Sequence, residues 1–266
     1  MAKYSRGHAK NVYLYSRRFY RCLFDLEDAR RLLVQPPNVQ KRALEALAVL
    51  SRFLGVYGWF MEWRVQLGLK WFKPRGLDVL RRVLRSELDG LWGWLEECRA
   101  ALDWSSYFQV AYTALTGLRA SEAQNSIALY SRLRDEGRVD DYYNRRLRAL
   151  EHFKHPSVFI RRNKYAFISF ITARVKQELD SFQGEPSYWS LAMKLKRRGL
   201  PKRLRHLRKL FAVTLVEAGI PGEAVDLLQG RVGATVFKQF YYRPVLTALR
   251  DKVLTALHPL EVRLLG

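Results

Sequence analysis

The chain has 266 residues, of which 48% are hydrophobic and 13% aromatic, enough to build packed cores and too apolar for a disordered chain. Its formal charge is +22, with 33 arginines and 14 lysines against 25 acids, and its isoelectric point is about 10.3. A charge of that size repels itself in a compact chain and calls for a polyanionic partner, while two isolated cysteines, Cys22 and Cys98, argue against both a disulfide framework and a zinc site.

The charge is spread, +9 over residues 1–100 and +13 over 101–266, so no single basic tail or membrane-binding helix accounts for it. The opening MAKYSRGHAK holds no apolar run of the kind a signal peptide needs, and no stretch reaches the ~18 apolar residues of a membrane span. A cytoplasmic protein is the expectation.

In chain order, residues 1–18 read as a basic N-terminal arm. A helix is predicted over Tyr20–Val34, ended by Pro36-Pro37. Asn38 caps a second helix from Val39 to about Leu54, with Leu44, Leu47, Leu50 and Leu54 at helical spacing. Further helices cover about 56–68 and Asp78–Glu97. Residues 19–100 thus read as a small helical domain and 101–266 as a second domain.

In the second part a helix over about 105–115 ends at Thr116-Gly117, and another begins between Arg119 and Ser121. Helix 140–152 follows. Residues 157–172, SVFIRRNKYAFISFIT, read as a β-hairpin turning at Arg162-Asn163. A helix over 202–218 has Pro201 at its start, Gly219 and Pro221 separate it from a helix over 222–229, and Gly230 ends that one. Helices over 234–242 and 245–257 complete a chain that is mainly α with a small β-hairpin or sheet (α+β).

Four clusters carry chemistry. In TGLRASEAQNS, residues 116–126, Gly117 permits a tight turn and Arg119 stands at a helix start. Lys164 lies in the hairpin. In RLRHLRKLFAVTLVEAGIP, residues 203–221, Arg205 and Arg208 are three apart and share a helix face, where two guanidinium groups favour an anion between them. In QGRVGATVFKQFYYRP, Gly230 turns the chain at Arg231, and Tyr241-Tyr242 follow. Taken singly, each has a plain reading as a solvated basic face or a helix start.

Taken together, Arg119, Lys164, Arg205-x-x-Arg208, Arg231 and a tyrosine, in that order, resemble the tyrosine recombinase (phage-type integrase) family. TGLRASE is similar to its TGLR-x-x-E motif and LRHLRKLFAVTLVEAGIP to its second box, with Tyr241 following Arg208 by 33 residues. The run LQGRV before a tyrosine most resembles integrases of archaeal spindle-shaped viruses and related plasmids. The resemblance covers about residues 38–243 and is strongest over 110–243. Two positions depart from the commoner pattern: the histidine opening HxxR is Arg205, and the later histidine is Arg231. His206 is expected to point away from the site.

The resemblance implies a helical core-binding domain followed by a catalytic domain. It implies a site-specific recombinase that integrates or excises a viral or plasmid element through a 3′-phosphotyrosyl intermediate, without metal, ATP or other cofactor. Its partners would be double-stranded attachment-site DNA and three further copies of the chain in a synaptic tetramer, with no membrane, in the nucleoid of the host cell. Arg119, Arg205, Arg208 and Arg231 would stabilise the phosphoryl transition state, Lys164 would protonate the leaving oxygen, and Tyr241 would be the nucleophile, with Tyr242 packing beside it. A type IB topoisomerase and a non-catalytic DNA-binding regulator descended from a recombinase are the alternatives. The helix after the tyrosine fits docking onto a neighbouring protomer and packing on its own domain equally well.

Overall fold

Helix α1, Arg6–Phe19, sets His8, Val12, Tyr15 and Phe19 along one stripe at spacings of four, three and four. In a computed structural model of the chain, which describes residues 6–71, 88, 90–161, 164–201, 203–231 and 244–266, that stripe packs on α3, Pro37–Phe53. The expected basic arm is therefore, over the described residues 6–18, part of a helix. Lys10, Arg17 and Arg18 occupy its outer face and mask the apolar one. The chain divides into two units, Met1–Arg85 and Ser86–Gly266.

In the first unit, α1 and α3 enclose a core with α2, Leu26–Arg30, and α4, Tyr57–Gln66. Leu23, Leu44, Leu47, Phe60 and Trp63 form its centre. The helix expected over 20–34 is interrupted because the Asp25 side chain accepts a hydrogen bond from the Glu27 N–H at 2.9 Å and starts α2 afresh. Helix α3 begins two residues before the expected Val39, with Pro37 in its first turn, where a missing N–H costs nothing.

Helix α5, Leu91–Ala101, follows Gly90 and buries Leu91, Trp94, Leu95 and Cys98 in the core of the second unit. The division of the chain falls at 85/86, whereas the run of helical patterns placed it at 100/101. The part of the expected 78–97 helix before residue 88 lies outside the described residues. Among those described, no helix is long and apolar enough to cross a membrane.

The second unit is built around α6, Trp104–Thr116, whose residues 106–116 are all buried. Gly117 ends it in the left-handed region, φ 64°, and a Cβ there would lie 2.3 Å from the Phe211 ring, so only glycine lets this turn meet the later helix that carries Phe211. Helix α7, Ala120–Asp135, then starts with Arg119 as its N-cap residue.

The expected helix over 140–152 is instead a hairpin, β1 Tyr143–Asn144 and β2 Ala149–Leu150, closed by Asn144 Oδ1 accepting from the Leu147 N–H at 3.0 Å. A second antiparallel pair, β3 Ile160–Arg161 and β4 Lys164–Tyr165, follows helix α8, Pro156–Phe159, and sets Arg161 opposite Lys164 in register. The intervening Arg162-Asn163 lie outside the described residues. Strand β5, Ser169–Phe170, joins the first hairpin in an antiparallel sheet ordered β1-β2-β5. The hairpin expected over 157–172 is shorter than its sequence run, because 156–159 is helical and 169–170 leaves to pair with β2.

Beyond the sheet come α9, Ala173–Ser181, α10, Tyr188–Arg197, α11, Leu204–Glu217, and α12, Gly222–Leu228. The expected helix over 234–242 lies outside the described residues. The last helix, α13, runs Leu246–Leu265 straight through Pro259, eight residues past its expected end. A proline inside a helix costs about 3 kcal/mol. Burial of Leu260, Leu264 and Leu265 beyond it, about 1.5–3 kcal/mol each, outweighs that cost. The apolar face of α13 thus belongs to the core of its own unit.

A buried polar chain ties α6 and α7 to the sheet. Tyr112 meets Ser126 Oγ at 2.6 Å, Ser126 meets Tyr142 Oη at 2.8 Å, Tyr142 meets His152 Nδ1 at 2.6 Å, and His152 Nε2 meets Ser169 Oγ at 2.9 Å. The network links the helix that follows Arg119 to the sheet through satisfied buried groups.

Candidate functional site

Arg119 leaves the Gly117 turn at the mouth of α7, and the third residue of that helix, Glu122, is fully buried beneath it. Glu122 accepts from the Arg119 main-chain N–H at 3.1 Å and from Arg119 Nη1 at 2.7 Å. Arg119 Nη1 also donates to the Tyr165 carbonyl at 3.3 Å, which joins it to the strand of Lys164. Lys164 itself is exposed.

Arg208 projects from the first half of α11 with its side chain only 11% exposed, and Glu122 Oε2 lies 3.9 Å from its Nη1. One carboxylate thus stands between two guanidinium groups. Burial first, then Arg119 and Arg231, lower the pKa of Arg208 to about 10, while Glu122 and Asp226 oppose the shift. Arg208 remains a cation at neutral pH, poorly solvated and crowded by like charge, the condition that favours an arriving anion.

One turn earlier on α11, Arg205 is exposed and its Nε donates to His206 Nε2 at 3.0 Å. His206 does not point away, as the sequence suggested. It lines the same cavity as Arg205, and burial, followed by Arg205 and Arg203, lowers its pKa, so it is neutral there. With Nε2 accepting, the ring proton sits on Nδ1. Helix α11 starts at Leu204, with Arg203 as its N-cap residue, so Arg203, Arg205 and His206 all stand in its first turn at the cavity.

Arg119, Arg205 and Arg208 line one cavity of about 800 Å³, with Leu118, Ala120, Ser121, Tyr188, Arg203, Leu204 and His206. Four arginines on one concave wall can hold phosphate oxygens bidentately. Lys164 and Arg231 are not part of this lining. Lys164 adjoins it through Tyr165. Arg231 adjoins it through the turn at Gly230, where its main-chain N–H donates to the Asp226 carbonyl at 2.7 Å and its Nη1 lies 3.7 Å from Asp226 Oδ1. Tyr241 and Tyr242 lie outside the described residues.

Several contributors escape a reading of the sequence. Glu122 is visible there as the last letter of TGLRASE, and its burial explains why an acid belongs at that position. Arg203, Tyr188 and His206 carry no separate signal. Gln229, 1% exposed, donates through Nε2 to the Arg208 carbonyl at 2.7 Å, while its own carbonyl accepts from Arg208 Nη2. No protein-family model, curated protein or solved structure matches the chain.

Proposed function

We propose that this chain is a site-specific DNA recombinase that cuts and rejoins a DNA strand through a tyrosine. The observation that carries the reading is the convergence of Arg119, Arg205 and Arg208, from two helices far apart in the chain, on one cavity, with Arg119 and Arg208 held by the buried Glu122. A protein that only coated DNA would gain from exposed arginines, and a buried Arg208 beside a second cation is a costly way to bind a backbone. It is a sensible way to meet the charge that builds on a phosphoryl group in its transition state.

In the proposed reaction the Tyr241 oxygen bonds to the scissile phosphorus as the bond from phosphorus to the 5′ oxygen breaks. Cations around the site favour the phenolate, whose proton passes to water. Lys164 gives a proton to the departing 5′ oxygen. The 3′-phosphotyrosyl ester conserves the bond, and attack by a 5′ hydroxyl from a second duplex reverses the step. Complete exchange takes two duplexes and four copies of the chain.

A duplex carrying a nick just downstream of the cleavage site tests this reading, because the short released strand diffuses away and traps the covalent adduct. Formation of the adduct and its transfer to a second duplex supports a recombinase. Adduct with religation alone supports a topoisomerase, and DNA binding without adduct under any salt or temperature reduces the protein to a DNA-binding factor.

A further inference from the structure

The turn that closes α12 is gripped from two sides. On one side, Gln229 makes a reciprocal pair with a single residue of α11: its Nε2 donates to the Arg208 carbonyl at 2.7 Å, and its main-chain carbonyl accepts from Arg208 Nη2. On the other side, Gly230, at φ 62°, lies so close to β4 that a Cβ on it would fall 1.8 Å from the Tyr165 carbonyl oxygen. That same oxygen accepts from Arg119 Nη1. The contacts close a ring: Arg119 to Tyr165, Tyr165 to Gly230, Gly230 through Gln229 to Arg208, and Arg208 through Glu122 back to Arg119.

Gln229 carries no charge and does not line the cavity. Among the described residues, its Oε1 and Arg208 Nη1 are each buried without a hydrogen-bond partner. An amide there is costly unless its orientation matters. Its one donor bond fixes the rotation of the turn about α11, and its carbonyl fixes the fork of Arg208.

We propose that Gln229 is a positioning residue for phosphoryl transfer: it holds the Arg208 guanidinium in its phosphate-facing orientation and sets the point from which the chain departs toward Tyr241. This role rests on the recombinase reading above.

The test uses the full chain with Gln229→Met, which keeps the volume and loses the side-chain hydrogen bond, and Gln229→Glu, which keeps the shape but cannot donate to the Arg208 carbonyl. Adduct formation on the nicked duplex is timed at saturating protein, and affinity for the same duplex is measured separately. Both variants are expected to slow adduct formation about tenfold or more while affinity changes less than about threefold. The deficit should shrink on a duplex whose scissile phosphate is a neutral methylphosphonate, because Arg208 then has less charge to meet. Unchanged rates, equal loss of rate and affinity, or the same slowing on both substrates overturns the proposal. If the wild type forms no adduct, the recombinase reading fails and takes this one with it; if the wild type forms it, the variants alone decide. Should Gln229→Met fail to fold, Gln229→Glu decides by the same readouts.

Discussion

Replacing Glu122 by glutamine removes one charge and almost no volume from the centre of the arginine cluster. Its carboxylate is fully buried and lies 2.7 Å from Arg119 Nη1 and 3.9 Å from Arg208 Nη1. The amide can still accept from the Arg119 main-chain N–H but cannot balance two guanidinium charges. Breaking a buried ion pair from one side costs about 3–5 kcal/mol. Arg119 keeps 29% of its side chain in water, which places the cost near the lower end, about 3 kcal/mol. In a unit of this size that is a drop in melting temperature of about 6–12 °C.

Scanning calorimetry of the full chain at low salt reads this directly, with the Ser86–Gly266 unit expected to melt earlier. Duplex DNA supplies negative charge to the same place. It should therefore stabilise Glu122→Gln more than it stabilises the wild type, which loss of packing alone would not produce. A variant melting within about 2 °C of the wild type, or one that DNA stabilises no more than the wild type, would refute the view that Glu122 neutralises the two arginines.

Arg208→Ala should keep duplex affinity and lose adduct formation by more than about 100-fold, and parallel loss of both would make Arg208 a backbone contact only. Arg205→Ala should lower the slope of log affinity against log salt by about 0.9, read by fluorescence anisotropy over a salt series, as one lost phosphate contact would. His152 is buried and neutral, its pKa lowered to about 3 by burial and by His155. Because the unfolded imidazole titrates near 6.5, the unfolded chain takes up the proton first, and stability falls as pH drops below that value. From pH 6.5 to about 5 the wild type should lose stability more steeply than His152→Gln, by a difference approaching about 1.4 kcal/mol per pH unit, measured by urea unfolding. Equal slopes would mean that His152 is protonated in the fold.

Where local signals are strong, the structure follows them. The Gly117 turn, the Pro221 start of α12 and the Gly230 turn just past its end rest on single glycines and prolines whose backbone preferences few contexts override. Two-residue strands such as β1 and β2 give no period to detect, and Tyr142-Tyr143 suit a helix until Asn144 folds back on Leu147. Helix α1 is hidden by its own lysine and arginines, and the far end of α13 by a proline that tertiary burial overrides.

In the site, the arginines can be found because their types and order carry the chemistry. Glu122 is legible as the partner of Arg119 three residues before it, but its approach to Arg208 and the Gln229–Arg208 pair join segments far apart in the chain, and no spacing rule encodes those. His206 shows the same limit from the other side. It lines the cavity beside Arg205 through the tertiary surroundings of α11, which its position between Arg205 and Arg208 does not reveal.

Mass-spectrometric identification of the tyrosine in the trapped adduct bears most directly on the proposed reaction. On the helix that the sequence predicts over 234–242, adjacent residues would point about 100° apart, so one of the pair alone is expected to meet the phosphate. The expected result is a DNA-linked peptide bearing the modification on Tyr241, abolished by Tyr241→Phe and retained by Tyr242→Phe. Modification on Tyr242 would move the register by one residue and leave the reaction standing; a wild-type protein that binds the nicked duplex yet yields no linked peptide would contradict a tyrosine recombinase.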